Sequence, residues 1–165
     1  MLSQQQLNSW LGQNIANICS NGYDNSSLNH CAHFVGHALS IGVGYTCRHH
    51  TGRSNFGACL RVHELFAACS QHVEVNQCSI HYEGIVFVSA ASSFVTQNGR
   101  VAMQNVPRKH VGMVYQGNVW HYSNTQDMVI MQPMSQFLFH YRGQQNALWV
   151  ATPPSNYRAR TFGVD

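Results

Sequence analysis

The sequence is poor in charge. Only 9% of its 165 residues are Asp, Glu, Lys or Arg, and Lys109 is the only lysine. The formal net charge of +3 is carried by scattered arginines, with no basic stripe and no aromatic-rich RNA-binding motif. We therefore expect no nucleic-acid partner. Hydrophobic residues make up 44% of the chain and no long charged run is present, which argues against intrinsic disorder.

Long apolar runs, repeats and a secretory leader are also missing. No stretch approaches the length of a transmembrane helix, so we expect no membrane span. Residues 1–6 have neither a basic start nor an apolar core, so we expect no signal peptide and synthesis in the cytoplasm. A chain of this length without a linker is expected to form a single domain over residues 1–165, and we expect a monomer.

Cysteine and histidine, by contrast, are plentiful, with 6 and 11 residues. Neither CxxC nor HExxH spacing occurs, so the sequence predicts no metal site and no other cofactor. If Cys31 is a free nucleophile, an odd number of cysteines remains, and we expect reduced thiols. The remaining cysteines are Cys19, Cys47, Cys59, Cys69 and Cys78.

Cys31 is the most informative residue. It follows a polar stretch at residues 21–27 and opens a run whose apolar residues have helical spacing. A thiol at a helix N-terminus lies beside unpaired N–H groups and the positive end of the helix dipole, and both favour the nucleophilic thiolate. His110 lies far downstream, at the start of an apolar run typical of a strand.

Apolar periodicity predicts helices first and strands later. We expect one helix over residues 4–19, another from Cys31 to about residues 41–44, a loop over 45–57, and a helix over 58–71. Dense apolar runs then predict strands, with a polar loop at 89–107 and a hairpin around residues 117–118. The order predicts an α+β fold with N-terminal helices packed on an antiparallel sheet. The predicted strands cover residues 84–88, 111–115, 119–122, 128–131 and 147–150.

Three blocks in this order resemble the NlpC-type cell-wall cysteine peptidases, a papain-like group that includes the CHAP amidases. HCAHFV (residues 30–35) matches that family's D-C-S-G-F-V at Cys, Phe and Val. EGIVFV (83–88) stands where the family has G-D-L-V-F-F, without its Asp. HVGMVY, GN and VWHYS (110–123) correspond to H-V-G-I-Y, a turn, and an apolar residue followed by V-H-A-S.

The resemblance implies a papain-like fold in which Cys31 is the nucleophile and His110 its ion-pair partner. The N–H of Cys31 would be an oxyanion donor. His121 would orient His110, with Asn124 as the alternative and Asp127 as a third choice. A two-residue turn at 117–118 would place His110 opposite Thr125, so we expect a bulge or a wider loop to bring His121 alongside. Tyr23 and Trp120 are expected to contact substrate.

The function implied is an amidase or endopeptidase that cleaves the stem peptides of peptidoglycan. Size and the lack of a leader are similar to those of amidase effectors delivered through type VI secretion. That similarity implies export to the periplasm of a target cell and an immunity protein as partner. One alternative is a protease, deamidase or acyltransferase toxin acting on host proteins, and another is an inactive binding module. The lecithin:retinol acyltransferase-like group has a similar cysteine motif, but its base histidine precedes the cysteine, and no histidine precedes His30 here.

Overall fold

The computed structural model describes residues 2–164. Most of the helices lie in the first half of this range and most of the strands in the second. The helices are α1 (Gln4–Ser9), α2 (Ile15–Ile18), α3 (Cys31–Ala38), α4 (Cys47–Thr51), α5 (Val62–Ala68) and α6 (Met134–Phe137). The strands are β1 (Ser70–Glu74), β2 (Gly84–Ala90), β3 (Phe94–Gln97), β4 (Arg100–Met103), β5 (Lys109–Tyr115), β6 (Asn118–Ser123), β7 (Met128–Pro133) and β8 (Asn146–Thr152).

Six strands form one antiparallel sheet in the order β1-β8-β2-β5-β6-β7. β2 lies near the centre, between β8 and β5, and all of its residues except Ala90 are buried. A strand that is apolar at every position is expected where both faces of a sheet are covered. The predicted α+β class and antiparallel sheet are confirmed, and β3 and β4 form a separate hairpin.

Alternate side chains along the strands supply two cores. Phe87 of β2 and Val111 of β5 belong to the larger core, which also contains α3 and α5. Their neighbour Val88 belongs to the smaller core on the other face, together with Phe137 of α6. Because side chains alternate along a strand, adjacent residues of β5 face different cores. This alternation decides which strand residues can reach α3.

The prediction of one helix over residues 4–19 is wrong. The chain leaves α1 after Ser9 and re-enters a helix only at Ile15. Gly12 has φ +75, a left-handed backbone that does not continue an α-helix. Leu7 and Ile15 are still buried, so the two short helices share the apolar face that the periodicity predicted.

Several other boundaries differ from the prediction. The loop expected at 45–57 contains α4, which begins with a capping box in which the Thr46 hydroxyl accepts from the N–H of His49. The helix expected at 58–71 is limited to α5, and β1 follows it almost at once. The polar loop expected at 89–107 contains the β3–β4 hairpin. All of these elements are short, which is where periodicity is weakest.

The turn of the β5–β6 hairpin is formed by Gln116 and Gly117, one position before the expected pair. Both have positive φ, of 48° and 79°, as a type I′ turn requires. Tyr115 pairs with Asn118 and Met113 pairs with Trp120. The shift of the turn moves the register by two residues relative to the one predicted.

After β8 the chain runs back along α3. The N–H groups of Arg158 and Arg160 donate to the carbonyl oxygens of Leu39 and Ala38, both at 2.8 Å. Helices end with unpaired carbonyl groups, and the tail satisfies two of them at the end of α3. Within residues 2–164, no helix is long and apolar enough to cross a membrane.

Candidate functional site

Cys31 is the first residue of α3, as the sequence predicts. His30 makes no side-chain cap, and Asn29 supplies one, since its Oδ1 accepts from the N–H of Cys31 at 3.0 Å. Asn124, at the end of β6, accepts from the N–H of His30 at 3.0 Å and donates to Asn29 Oδ1 at 3.1 Å. The N–H of Cys31, expected as an oxyanion donor, is therefore already bonded to Asn29.

The thiol of Cys31 is buried, with 1% of the residue exposed. Burial raises the pKa of Cys31 to about 12, against the opposing effects of the N–H groups of Val111 and Ala32 and the positive charge of Lys109. The helix N-terminus acts in the expected direction, but loss of solvation outweighs it. In this conformation the thiol is protonated at neutral pH.

His110 does not meet Cys31. Its neighbour Val111 lies on the α3 face, while the imidazole of His110 packs 5.7 Å from the ring of Phe137 and stacks at 4.0 Å on His140. His110 Nε2 is 2.9 Å from His121 Nδ1, and His110 Nδ1 is buried without a partner. Neither ring nitrogen thus contacts the thiol, and the predicted ion pair between Cys31 and His110 is not formed.

His121 is brought to His110, as predicted, though by a different route from the one expected. The turn at residues 116–117 sets the register of the β5–β6 pair, and extending that register places His110 opposite Ser123. His121 therefore lies diagonally across from His110, on the same face of the sheet. Neither a bulge nor a wider loop is needed. Asn124 bonds the segment before α3, and Asp127 Oδ1 accepts from the hydroxyl of Tyr122 at 2.8 Å.

The histidine pair is neutral. Burial and the neighbouring His140 and His121 hold the pKa of His110 well below its usual value. Burial and His140 lower the pKa of His121 to about 4. One hydrogen bond joins the two neutral imidazoles, and within residues 2–164 no carboxylate is bonded to either ring. Their location between β5, β6 and α6 makes them part of the smaller core.

Trp120 and Tyr23 have environments different from those expected of substrate-binding residues. Trp120 is 1% exposed and donates from Nε1 to Asn8 Oδ1 at 3.1 Å, so its ring is a core residue and is closed to substrate. Tyr23 is half-buried, and its ring lies edge-on to His33 at 5.2 Å and to His50 at 4.7 Å. Tyr23 therefore packs on the outer side of α3.

A surface cleft of about 380 Å³ opens beside the N-terminus of α3 and includes Asn29, His63 and Lys109 in its lining. Lys109 Nζ donates to Asn105 Oδ1 at 2.9 Å and to the carbonyl of Val106 at 2.6 Å, which holds the ammonium in place. His63 Nδ1 is buried without a partner. Burial and the charge of Lys109 lower the pKa of His63. Sequence reasoning missed both residues, since neither stands in a recognisable motif.

A second group of reactive side chains converges on the outer side of α3. We call Cys19, His33, His37 and Cys47 the Cys/His cluster. One ligand atom from each lies within 4.8 Å of every other, and all four residues are buried. The sequence predicted no metal site, yet four potential metal ligands converge here. The spacing of His33 and His37, one helical turn apart, was the available signal, but the cysteines come from separate segments.

All six cysteines are free in the structure. Five are buried and only Cys78 is exposed. Comparisons of this chain with protein-family models, with curated proteins and with solved structures found no match in any of the three.

Proposed function

We propose that the protein is a cysteine hydrolase with Cys31 as its nucleophile, and that it cleaves amide bonds in peptidoglycan stem peptides. One observation carries the nucleophile: the thiol occupies the first turn of α3, where the N–H groups of Val111 and Ala32 and the charge of Lys109 all favour its anionic form. The substrate class and the immunity protein rest on the sequence resemblance alone.

The α3 face of the sheet defines which groups assist Cys31. Lys109 lies two residues from Val111 on the same strand, and therefore on the same face. The positive charge of its ammonium stabilises the thiolate form of Cys31. His63 shares the cleft with Lys109 and carries the one unpartnered imidazole nitrogen of that cleft. We therefore assign the role of the base to His63 in place of His110; Cys31 is buried and does not line this cleft in the resting structure, so the two groups meet only when the thiol is uncovered.

The reaction then follows the usual sequence of thiol hydrolases. His63 takes the proton from Cys31 Sγ, and the sulfur attacks the carbonyl carbon of the scissile amide. The amine leaves with the proton from His63, and a thioester joins the acyl group to Cys31. Water, deprotonated by His63, hydrolyses the thioester and returns the thiol. Because Cys31 is buried, a substrate can reach its thiol only after the packing around the start of α3 opens.

The test is digestion of purified muropeptides, with products identified by mass spectrometry. We expect cleavage by the wild-type protein, none by Cys31→Ala, and unchanged cleavage by Cys69→Ala, which removes a buried thiol outside the site. His63→Gln should lower the rate by about 10²–10⁴-fold, the usual contribution of a general base. His110→Gln should retain activity if folded. If a folded His110→Gln protein is inactive while His63→Gln is active, the base is His110, as the resemblance implies, and the assignment of His63 is wrong.

A second candidate is a binding module that lacks activity. The burial of Cys31 and its raised pKa favour it, because a working nucleophile is normally reached by solvent and ionised near neutral pH. Muropeptide binding by both the wild-type protein and Cys31→Ala, without turnover by either, would identify this function. Turnover that depends on Cys31 excludes it.

A further inference from the structure

We propose that the Cys/His cluster binds one Zn²⁺ ion. His33 Nε2 is 3.2 Å from His37 Nε2, and His37 Nε2 is 3.9 Å from Cys47 Sγ. Around tetrahedral zinc, with bonds of about 2.0–2.1 Å to nitrogen and 2.3 Å to sulfur, two nitrogens are separated by about 3.3 Å and a nitrogen and a sulfur by about 3.6 Å. Both measured distances are near these spacings, and all four ligand atoms lie within 4.8 Å of one another.

A chain of hydrogen bonds sets the tautomer of His33. His30 Nε2 is 2.8 Å from the carbonyl oxygen of Asn25, which can only accept, so His30 Nε2 carries the hydrogen. In the neutral ring, His30 Nδ1 is then an acceptor, and it lies 3.2 Å from His33 Nδ1. His33 therefore carries its hydrogen on Nδ1 and directs the Nε2 lone pair into the cluster. Such outer hydrogen bonds are characteristic of metal-bound histidines.

The sulfur ligands have donors of their own. Asn21 is fully buried, and its Nδ2 donates to the carbonyl of Phe56 at 2.8 Å and approaches Cys47 Sγ at 3.4 Å. Cys47 and burial raise the pKa of the Cys19 thiol, and the nearby backbone N–H groups of Tyr23 and Asn21 act against that rise. N–H groups aimed at sulfur favour thiolates over thiols. Asn21 thus serves both cysteines from one position.

The ligand set selects the metal and its role. Two thiolates and two imidazoles in a near-tetrahedral arrangement suit zinc. Two thiolate charges neutralise Zn²⁺, so the complex can be buried without an uncompensated charge. All four ligands come from the protein and are buried, which leaves no open position for water or substrate. Closed four-ligand sites of this kind are structural.

Zinc would join three helices that are too short to be stable alone. Cys19 follows α2, His33 and His37 lie on α3, and Cys47 begins α4. These helices have 4, 8 and 5 residues, below the length of about 12–15 residues at which isolated helices persist. Cys31 lies two residues before His33, about 200° around the helix. The metal would therefore hold α3 from its outer side while Cys31 faces the sheet.

The first test uses the full-length wild-type protein, purified under reducing conditions without chelator. Elemental analysis should find about one zinc per chain. Protein stripped with a chelator should take up Co²⁺ with the intense visible bands of tetrahedral cobalt and a thiolate-to-cobalt charge-transfer band. Adding Zn²⁺ should raise its thermal unfolding midpoint. None of these measurements involves a substrate, so their results test zinc binding independently of the hydrolase proposal.

Variants then assign the site. Cys47→Ala and His33→Gln should abolish the cobalt spectrum, whereas the matched Cys69→Ala variant should retain it. His30→Phe removes the hydrogen bonds of His30 to His33 and to the carbonyl of Asn25, changes no zinc ligand, and should weaken zinc binding by about 10–100-fold. The proposal is overturned if reduced, folded wild-type protein takes up neither metal, if folded Cys47→Ala binds as well as the wild type, or if purified protein carries a Cys19–Cys47 disulfide. Should Cys47→Ala not fold, the wild-type cobalt spectrum decides.

Discussion

At the scale of single residues, the environment of a side chain outweighs its motif. Cys31 has the helix-terminal position that ordinarily activates a thiol, yet burial raises its pKa to about 12. His110 has the sequence context of a papain-like base, yet strand alternation turns it to the face opposite α3. Both outcomes depend on what packs around the residue, which no local motif encodes.

Alkylation of the resting protein tests the environment of Cys31. Brief iodoacetamide treatment at neutral pH should modify exposed Cys78 at the rate of a model thiol and Cys31 at least about tenfold more slowly, because only the thiolate reacts. Peptide mapping by mass spectrometry gives the rate for each cysteine. In denaturant the two rates should converge. Modification of Cys31 ahead of Cys78 in the native protein would show that the thiol is open and ionised.

The His110–His121 pair predicts sensitivity to acid. The pKa of His121 is lowered to about 4 in the folded state, mainly by burial, against about 6.5 in an unfolded chain. Below pH 6.5 the unfolded state binds a proton that the folded state does not, so the stabilisation is complete above that pH and is lost as pH falls toward 4. For His121 alone the loss between pH 7 and 5 is about 2 kcal/mol.

Urea unfolding at pH 7 and pH 5 measures this effect. His121→Phe should narrow the difference in unfolding free energy between the two pH values, whereas substitution of the exposed His81 by Gln should leave it as in the wild type. An unchanged difference in His121→Phe would mean that this histidine titrates normally in the folded protein.

At the scale of secondary-structure elements, the apolar patterns of the sequence predicted the long strands correctly and the short helices and strands poorly. β2, β5 and β6 form at the positions that the apolar runs predicted, because a short, dense apolar run bounded by polar residues strongly favours a buried strand. The single helix predicted over residues 4–19 is interrupted around Gly12, and the β3–β4 hairpin lies in a segment that the sequence predicted to be a loop. The His110–His121 contact could be predicted, but the face it occupies could not, because that depends on the packing of α3 and α6.

Tyr122 connects α2 to the end of the sheet. Its hydroxyl accepts from the N–H of Ile15 at 3.1 Å and donates to Asp127 Oδ1 at 2.8 Å, with the ring fully buried. Tyr122→Phe leaves the N–H and the carboxylate without this partner, so we expect a loss of about 1–3 kcal/mol in unfolding free energy. Tyr115→Phe, at a half-buried ring, should change it by less than about 0.5 kcal/mol. Equal effects in urea unfolding would contradict this role.

At the scale of the whole molecule, α3 is held on three sides. The sheet packs against the face that bears Cys31, the Cys/His cluster lies on the outer side, and the C-terminal tail covers the helix end. Side chains from distant parts of the sequence meet on this one helix. Sequence reasoning identified α3 from local spacing but missed the cluster, since Cys19 and Cys47 approach it only through tertiary folding.

The tail predicts a stability effect far from Cys31. Arg158 and Arg160 bond the end of α3, the carbonyl of Arg160 accepts from Trp10 Nε1 at 3.0 Å, and Phe162 packs edge-on to Trp10 at 5.3 Å. Removing residues 156–165 breaks these hydrogen bonds, together with the one from the N–H of Phe162 to Ser9 Oγ at 2.9 Å, and exposes an apolar face. We expect a loss of about 2–4 kcal/mol in urea unfolding. If the truncated protein retains the unfolding free energy of the wild type, the tail does not stabilise α3.

The central claim, that Cys31 is a nucleophile reached by stem peptides, is tested most directly by a stem peptide carrying a thiol-reactive diazomethyl ketone at its scissile position. The account predicts one label per chain, on Cys31, at concentrations at which iodoacetamide leaves this cysteine unmodified, because the bound peptide uncovers the thiol at the start of α3. Labelling should be lost in Cys31→Ala. Intact-mass analysis and peptide mapping supply both results. Labelling confined to Cys78, or no labelling, would contradict the account.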